Sequence, residues 1–181
     1  MGGLIFLSPS AQAYDFDFSG TFATDNEVQL LNFTVATAST VTIFSSSWGN
    51  GLGPDGYVSY GGFDPRLRVW NNTGRLIATQ NDVESAGSEL SNGVSYGYGI
   101  WDVYLTLSLA PGNYTLTILQ SYNEALRQYL SGGFLYDENP DYTYDLGLGS
   151  EEYFNGRGSS SNKSICRKEG ERHHKILQNF Q

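Results

Sequence analysis

The sequence predicts an all-β domain: an antiparallel β-sandwich or jelly roll of about seven or eight strands. Three observations carry this reading. Short runs alternate apolar and polar residues; Gly, Pro and Asn separate them; and no stretch shows the apolar period of an amphipathic helix. Thr, Val, Ile, Tyr and Phe suit a pleated, half-buried surface, and the 22 glycines suit tight turns. At 181 residues the chain fits one domain of ordinary size.

Residues 14–24 alternate, with Phe16, Phe18 and Phe22 on one face and Asp15, Asp17 and Ser19 on the other. That is the pattern of a strand with one buried side. Residues 24–27 (Thr-Asp-Asn-Glu) form a polar turn, and strands follow at 28–35 and 39–45. Residues 46–62 make a long Gly-rich loop holding Trp48, Tyr57 and Tyr60. A loop of this length in a compact domain often has a function.

Residues 66–71 and 75–79 form a hairpin about Asn72-Thr73-Gly74, with Trp70 in the core. Residues 80–99 read as a second long polar loop. Strands at 103–109 and 114–120 flank the turn Ala110-Pro111-Gly112-Asn113. Residues 122–129 have room for one or two helical turns and 133–136 for a short strand, and 137–149 form an acidic, Tyr-rich loop.

Both ends differ from this body. Residues 1–13 run from a short apolar stretch through Pro9 to Ala11-Gln12-Ala13, like the end of a secretory signal peptide cleaved after Ala13. The positive n-region is missing, and the run is too short to span a bilayer, which takes about 20 residues. The sandwich is expected over residues 14–156. From Arg157 the chain turns Ser-rich and then basic, and it holds both histidines, all the lysines and the lone Cys166. Residues 157–181 are expected to be a disordered tail, and a shift of reading frame near Asn155 would produce the same break.

Charge narrows the partners. Residues 1–156 carry four arginines against 17 of the 19 acids, a net charge of −13. Such a body repels nucleic acid and anionic membranes and is compatible with cations. It also contains no His, Cys or Lys. That removes Ser-His-Asp and Cys-His catalysis, Schiff-base chemistry and His/Cys zinc sites from the domain. With 17 acids, some pair at the 5–10 Å spacing of a glycosidase arises by chance, so carboxylates alone argue little for an enzyme.

Three segments carry a family resemblance. Residues 18–33 (FSGTFATDNEVQLLNF), 62–82 (GFDPRLRVWNNTGRLIATQND) and 107–116 (LSLAPGNYTL) resemble, in order and spacing, the opening hairpin, central hairpin and closing strand of bacterial pre-peptidase C-terminal-like domains. The chain is most similar to an uncharacterised secreted group whose members often carry a PEP-CTERM sorting anchor. The resemblance covers about residues 15–156. It implies a secreted or cell-surface β-sandwich accessory module. The family's last strand, with a Gly-Asn-Trp-like sequence, and its anchor have no counterpart after Phe154.

Two sets of site residues follow. Asp64 precedes one strand of the central hairpin, and Asn81 and Asp82 follow the other; antiparallel pairing brings those ends together. Asp102 precedes another strand. Carboxylates and amide carbonyls are ligands for calcium, so these four residues are the candidate calcium site. The competing reading is that Asx side chains cap turns and need no metal. The aromatics Trp48, Tyr57, Tyr60, Tyr98 and Trp101 lie on the two long loops, where rings stack on sugars or partner proteins, or cover the ends of the core. The expected function is a non-catalytic secreted or cell-surface module that binds a polysaccharide or a protein, with calcium as a stabiliser. The alternatives are a carboxylate-dependent glycan-active enzyme and a purely structural matrix protein.

Overall fold

The computed structural model describes residues 15–18, 22–46, 64–91, 93–147 and 176–180. The strands are β1 (Asp15–Phe18), β2 (Gln29–Val35), β3 (Ser39–Ser45), β4 (Pro65–Asn71), β5 (Leu76–Gln80), β6 (Gly87–Ser91), β7 (Val94–Tyr98), β8 (Tyr104–Leu109), β9 (Gly112–Gln120) and β10 (Ile176–Phe180). They form one four-stranded sheet in the order β1-β10-β3-β8, a second in the order β2-β9-β4-β5, and a separate β6-β7 hairpin. Every pairing is antiparallel. The fold is the expected all-β sandwich.

Alternation explains the central core. Val41 and Ile43 of β3 and Leu109 of β8 meet Leu67 and Val69 of β4 and Leu116 and Ile118 of β9 in one buried cluster. Register aligns these rows: Val69 lies opposite Leu116, and Leu67 opposite Ile118. The β4–β5 turn is closed by Asn71, whose Oδ1 accepts from the Thr73 and Arg75 amides at 3.1 and 3.0 Å. Gly74 takes φ 74°, a left-handed conformation that suits glycine.

Alternation would leave the outer faces to solvent, but both are partly covered. On the first sheet, Phe44 packs with Tyr96, Tyr98 and Tyr104 under the β6–β7 hairpin. The Tyr104 hydroxyl donates to Glu89 at 2.7 Å, and burial, then that carboxylate, push it up to about 12. On the second sheet, Trp70 and Leu119 pack against Phe134 from the segment after β9. That segment holds a 3-10 turn at Leu130–Gly132 and one helical turn, α1 (Tyr142–Asp145). Tyr136 stacks on Tyr142 with centroids 4.0 Å apart and planes 4° apart.

The structure departs from the sequence expectations in several places. β6 and β7 lie inside residues 80–99, expected to be a loop. Residues 122–129 are irregular rather than helical, with bridges at Ala125 and Tyr129, and in place of a strand at 133–136 Phe134 makes an isolated bridge to Ala125. Phe16, expected to face the core, is 45% exposed. Ile176–Phe180, within the expected tail, form β10 between β1 and β3, with Phe18 opposite Ile176 and Phe44 opposite Leu177.

Among the described residues, β1 pairs with β10 alone. Ending the chain at Lys175 is therefore expected to remove exchange protection from the amides of Asp15–Phe18. It also turns β3 into an edge open to self-association. Hydrogen exchange read by mass spectrometry, with light scattering against concentration, checks both effects. Unchanged protection at 15–18 would contradict the pairing.

Candidate functional site

The four acidic and amide residues singled out above fall where the β-strands converge. Leu67 lies opposite Gln80, so Asn81 and Asp82 leave β5 beside the residues that enter β4. β9 flanks β4 on its other side, and the Ser121 amide donates to the Asp64 carbonyl at 2.9 Å. The Val83 amide donates to the Ile100 carbonyl at 3.0 Å, which draws the turn before Asp102 onto the same end.

The side chains divide into two kinds. Asp102 is fully buried and committed: its carboxylate accepts from the Ser45 hydroxyl at 2.7 Å and the Gly99 amide at 2.9 Å. It ties the 99–102 turn to the end of β3. Asp64 is 6% exposed; its Oδ2 accepts from the Ser121 hydroxyl at 2.7 Å, but its Oδ1 has no partner. Asn81 Oδ1 and Asp82 Oδ1 are also shielded from solvent without a partner. Burial is the main force that raises Asp64 from the ordinary 3.8 to about 7. The Ser121 hydroxyl and the Arg66 guanidinium pull against it, while the Asp82 and Asp102 carboxylates add to the rise.

Turn capping does not account for these oxygens. A capping Asx spends its oxygen on nearby amides, as Asn71 Oδ1 does on Thr73 and Arg75. The Oδ1 atoms of Asn81 and Asp82 accept nothing. The turn of Asp25, Asn26 and Glu27 is also occupied. Asp25 accepts from the Thr143 hydroxyl at 2.6 Å, Asn26 donates to the Asp137 carbonyl at 2.8 Å, and Glu27 accepts from the Ala23 amide at 2.6 Å. That turn anchors the segment after β9. Among the described residues no three acidic, His or Cys side chains are grouped so as to hold a metal ion by themselves. A cation at Asp64 and Asp82 would also need the Asn81 amide oxygen and backbone carbonyls or water.

Of the aromatic candidates, Trp48, Tyr57 and Tyr60 lie outside the described residues. Tyr98 is half-buried against Tyr104 and Phe44, with centroids 5.2 and 6.3 Å away, so its ring covers the core. Trp101 is 38% exposed. The larger exposed set lies elsewhere, on residues 122–146. Tyr122, Tyr129 and Tyr144 stand out with Leu126, Leu135 and Leu146, and Tyr144 is 77% exposed. Sequence reasoning placed this stretch in possible secondary structure and a loop and gave its tyrosines no role. The stretch lacks the alternation that separates buried from exposed positions, so nothing local distinguished the buried Tyr142 from the exposed Tyr122, Tyr129 and Tyr144.

The exposed segment is held from below. Arg68, 2% exposed, donates from Nη2 to Glu124 Oε2 at 2.5 Å and lies 5.9 Å from the Phe134 ring centroid. Arg66 pairs with the other oxygen of Glu124. The Tyr142 hydroxyl donates to Gln120 Oε1, and burial, then the Asp25 carboxylate, raise its pKa. Among the described residues no helix is long and apolar enough to cross a membrane. No family model matches the chain, and no curated protein sequence matches it.

Proposed function

We propose that the chain is a secreted or cell-surface, non-catalytic β-sandwich module that binds a neutral polysaccharide through Tyr122, Tyr129 and Tyr144. The observation that carries this is the exposure of three rings on a segment fastened to the second sheet by Trp70, Phe134 and Tyr142. An anchored segment and a two-torsion aromatic side chain lose little freedom when the ring stacks against a sugar face. Residues 121–147 hold five acids and one arginine, which favours a neutral polymer over an anionic one. The resemblance to pre-peptidase C-terminal-like domains supports an accessory role and export, and the 1–13 segment supports export.

A protein partner is the second reading, favoured by the exposed Leu126, Leu135 and Leu146. The enzyme reading is weaker. Among the described residues the one carboxyl with a strongly raised pKa, Asp64, is 6% exposed, whereas a general acid has to reach its substrate.

Co-sedimentation of the full chain with insoluble cellulose, chitin, xylan and β-glucan tests the proposal. Retention on at least one polymer is expected, falling roughly tenfold in Tyr129→Ala/Tyr144→Ala if each ring contributes about 0.5–1.5 kcal/mol. The unfolding midpoint should stay unchanged, because both side chains are exposed. A folded wild type retained on none, or a double variant retained as well as wild type, would overturn the proposal.

A further inference from the structure

The geometry points to a calcium site at the β4–β5 strand ends, built on Asp64 Oδ1, Asn81 Oδ1 and Asp82 Oδ1. Three oxygen acceptors from neighbouring positions are withdrawn from water, and none has a donor. An unmade hydrogen bond at a buried acceptor costs about 1–3 kcal/mol, so three on adjoining strand ends call for an occupant. Asp64 is the strongest of them, at 6% exposure with one oxygen held by Ser121 and the other empty.

Charge points the same way. Asp82 and Asp102 both act on Asp64 as like charges, so three carboxylates share one end of the sandwich. Among the described residues, Arg66 is the cation seen to act on Asp64, and its guanidinium pairs with Glu124. Two donors without partners also lie near, Arg66 Nε and Gln120 Nε2, and Pro65 sits opposite Gln120. Neither is bonded to the three oxygens. A divalent cation compensates the excess charge and fills the empty acceptor positions in one step.

The donor chemistry selects the ion. All three atoms are hard oxygens, two from carboxylates and one from an amide, and residues 1–156 contain no His or Cys to favour zinc or copper. Calcium takes six to eight oxygens in flexible geometry and accepts backbone carbonyls and water for the remainder; magnesium demands a near-ideal octahedron and sheds its waters reluctantly. Asp102, with both oxygens bonded to Ser45 and Gly99, holds the neighbouring turn in place and acts as a positioning residue. The proposed calcium site rests on other observations than the tyrosine surface does, and either can fail without the other.

Thermal unfolding of the full chain, metal-depleted and then titrated with calcium chloride, tests the inference. A saturable rise in midpoint, on the order of 5 °C or more at 100 times the dissociation constant, is expected. Magnesium should reproduce it only at much higher concentration. Asp64→Asn and Asp82→Asn should each abolish the rise, while Asp145→Asn, remote in sequence and exposed, should keep it. Asp82 is only half-buried, so its variant is informative even where Asp64→Asn folds poorly. A cooperative melt indifferent to calcium overturns the site, and so does a calcium response that survives both substitutions.

Discussion

In metal-depleted buffer, Asp64→Asn is expected to become steadily more stable than the native chain as pH rises from 4 to 8. Folding raises the Asp64 pKa from the ordinary 3.8 to about 7, chiefly by burial. Between those values the folded state binds more protons than the unfolded state, so stability falls as pH rises. The favourable contribution is complete below the unfolded value and is lost as pH passes through the folded one. At 1.36 kcal/mol per pKa unit, the full swing is about 4 kcal/mol. Asn has nearly the same shape and no proton to lose, so its stability lacks this term. Urea unfolding of both proteins at pH 4 and pH 8 gives the difference directly. Calcium at pH 8 should then reverse the order, because only the native carboxylate gains from the ion. A difference between the two proteins that is constant with pH would show that Asp64 is not held in a desolvated, acid-flanked position.

Trp70→Ala is expected to cost about 3–5 kcal/mol, the range for removing a large buried aromatic side chain. Trp70 is fully buried on the outer face of the second sheet, where its indole meets Phe134 edge-on at 6.5 Å and donates to the Thr117 hydroxyl at 3.0 Å. Its loss leaves a cavity beneath the segment that presents the tyrosines and leaves Thr117 without its donor. Trp70→Phe should be far milder, because it keeps most of the packing and forfeits one hydrogen bond worth about 1 kcal/mol. Denaturant midpoints rank the two, and hydrogen exchange over residues 121–147 shows where the loosening goes. Equal, small effects would mean that the segment stands without its anchor.

Much of this architecture was legible because strand alternation maps directly onto a two-layer core. The 39–45 strand and the 66–71 and 75–79 hairpin alternate strongly, and their inward rows are the buried cluster of Val41, Ile43, Leu67 and Val69. The β6–β7 hairpin was missed because Gly87, Gly93 and Gly97 dilute its pattern. Its burial also comes from Phe44, more than 40 residues away, which no local period reveals. The same cause hid the role of residues 122–146: Trp70 and Arg68 point out of the sandwich, yet a later segment buries them. β10 was missed because Ile176–Phe180 lie in a stretch read from its basic, Ser-rich composition.

The proposed cation site shows the same division. Asp64, Asn81 and Asp82 followed from one rule, that a hairpin brings the far ends of its strands together, and β4–β5 pairing does so. Asp102 was grouped with them as a candidate calcium ligand, but its oxygens are spent on Ser45 and Gly99. Ser121, which fixes the Asp64 rotamer, could not be foreseen, because β9 pairs with β4 across some 50 residues of sequence. Local pattern finds which side chains a hairpin brings to one end; only tertiary pairing finds what orients them.

The central claim is that the three empty oxygens are a cation site. A crystal structure of the full chain grown with calcium, using the anomalous signal of the ion, tests it most directly. The expected result is one calcium within about 2.3–2.6 Å of Asp64 Oδ1, Asn81 Oδ1 and Asp82 Oδ1, with carbonyls or waters completing six to eight ligands. Finding Arg66 Nε, Gln120 Nε2 or a water hydrogen-bonded to those oxygens at saturating calcium, with no anomalous peak, would contradict it.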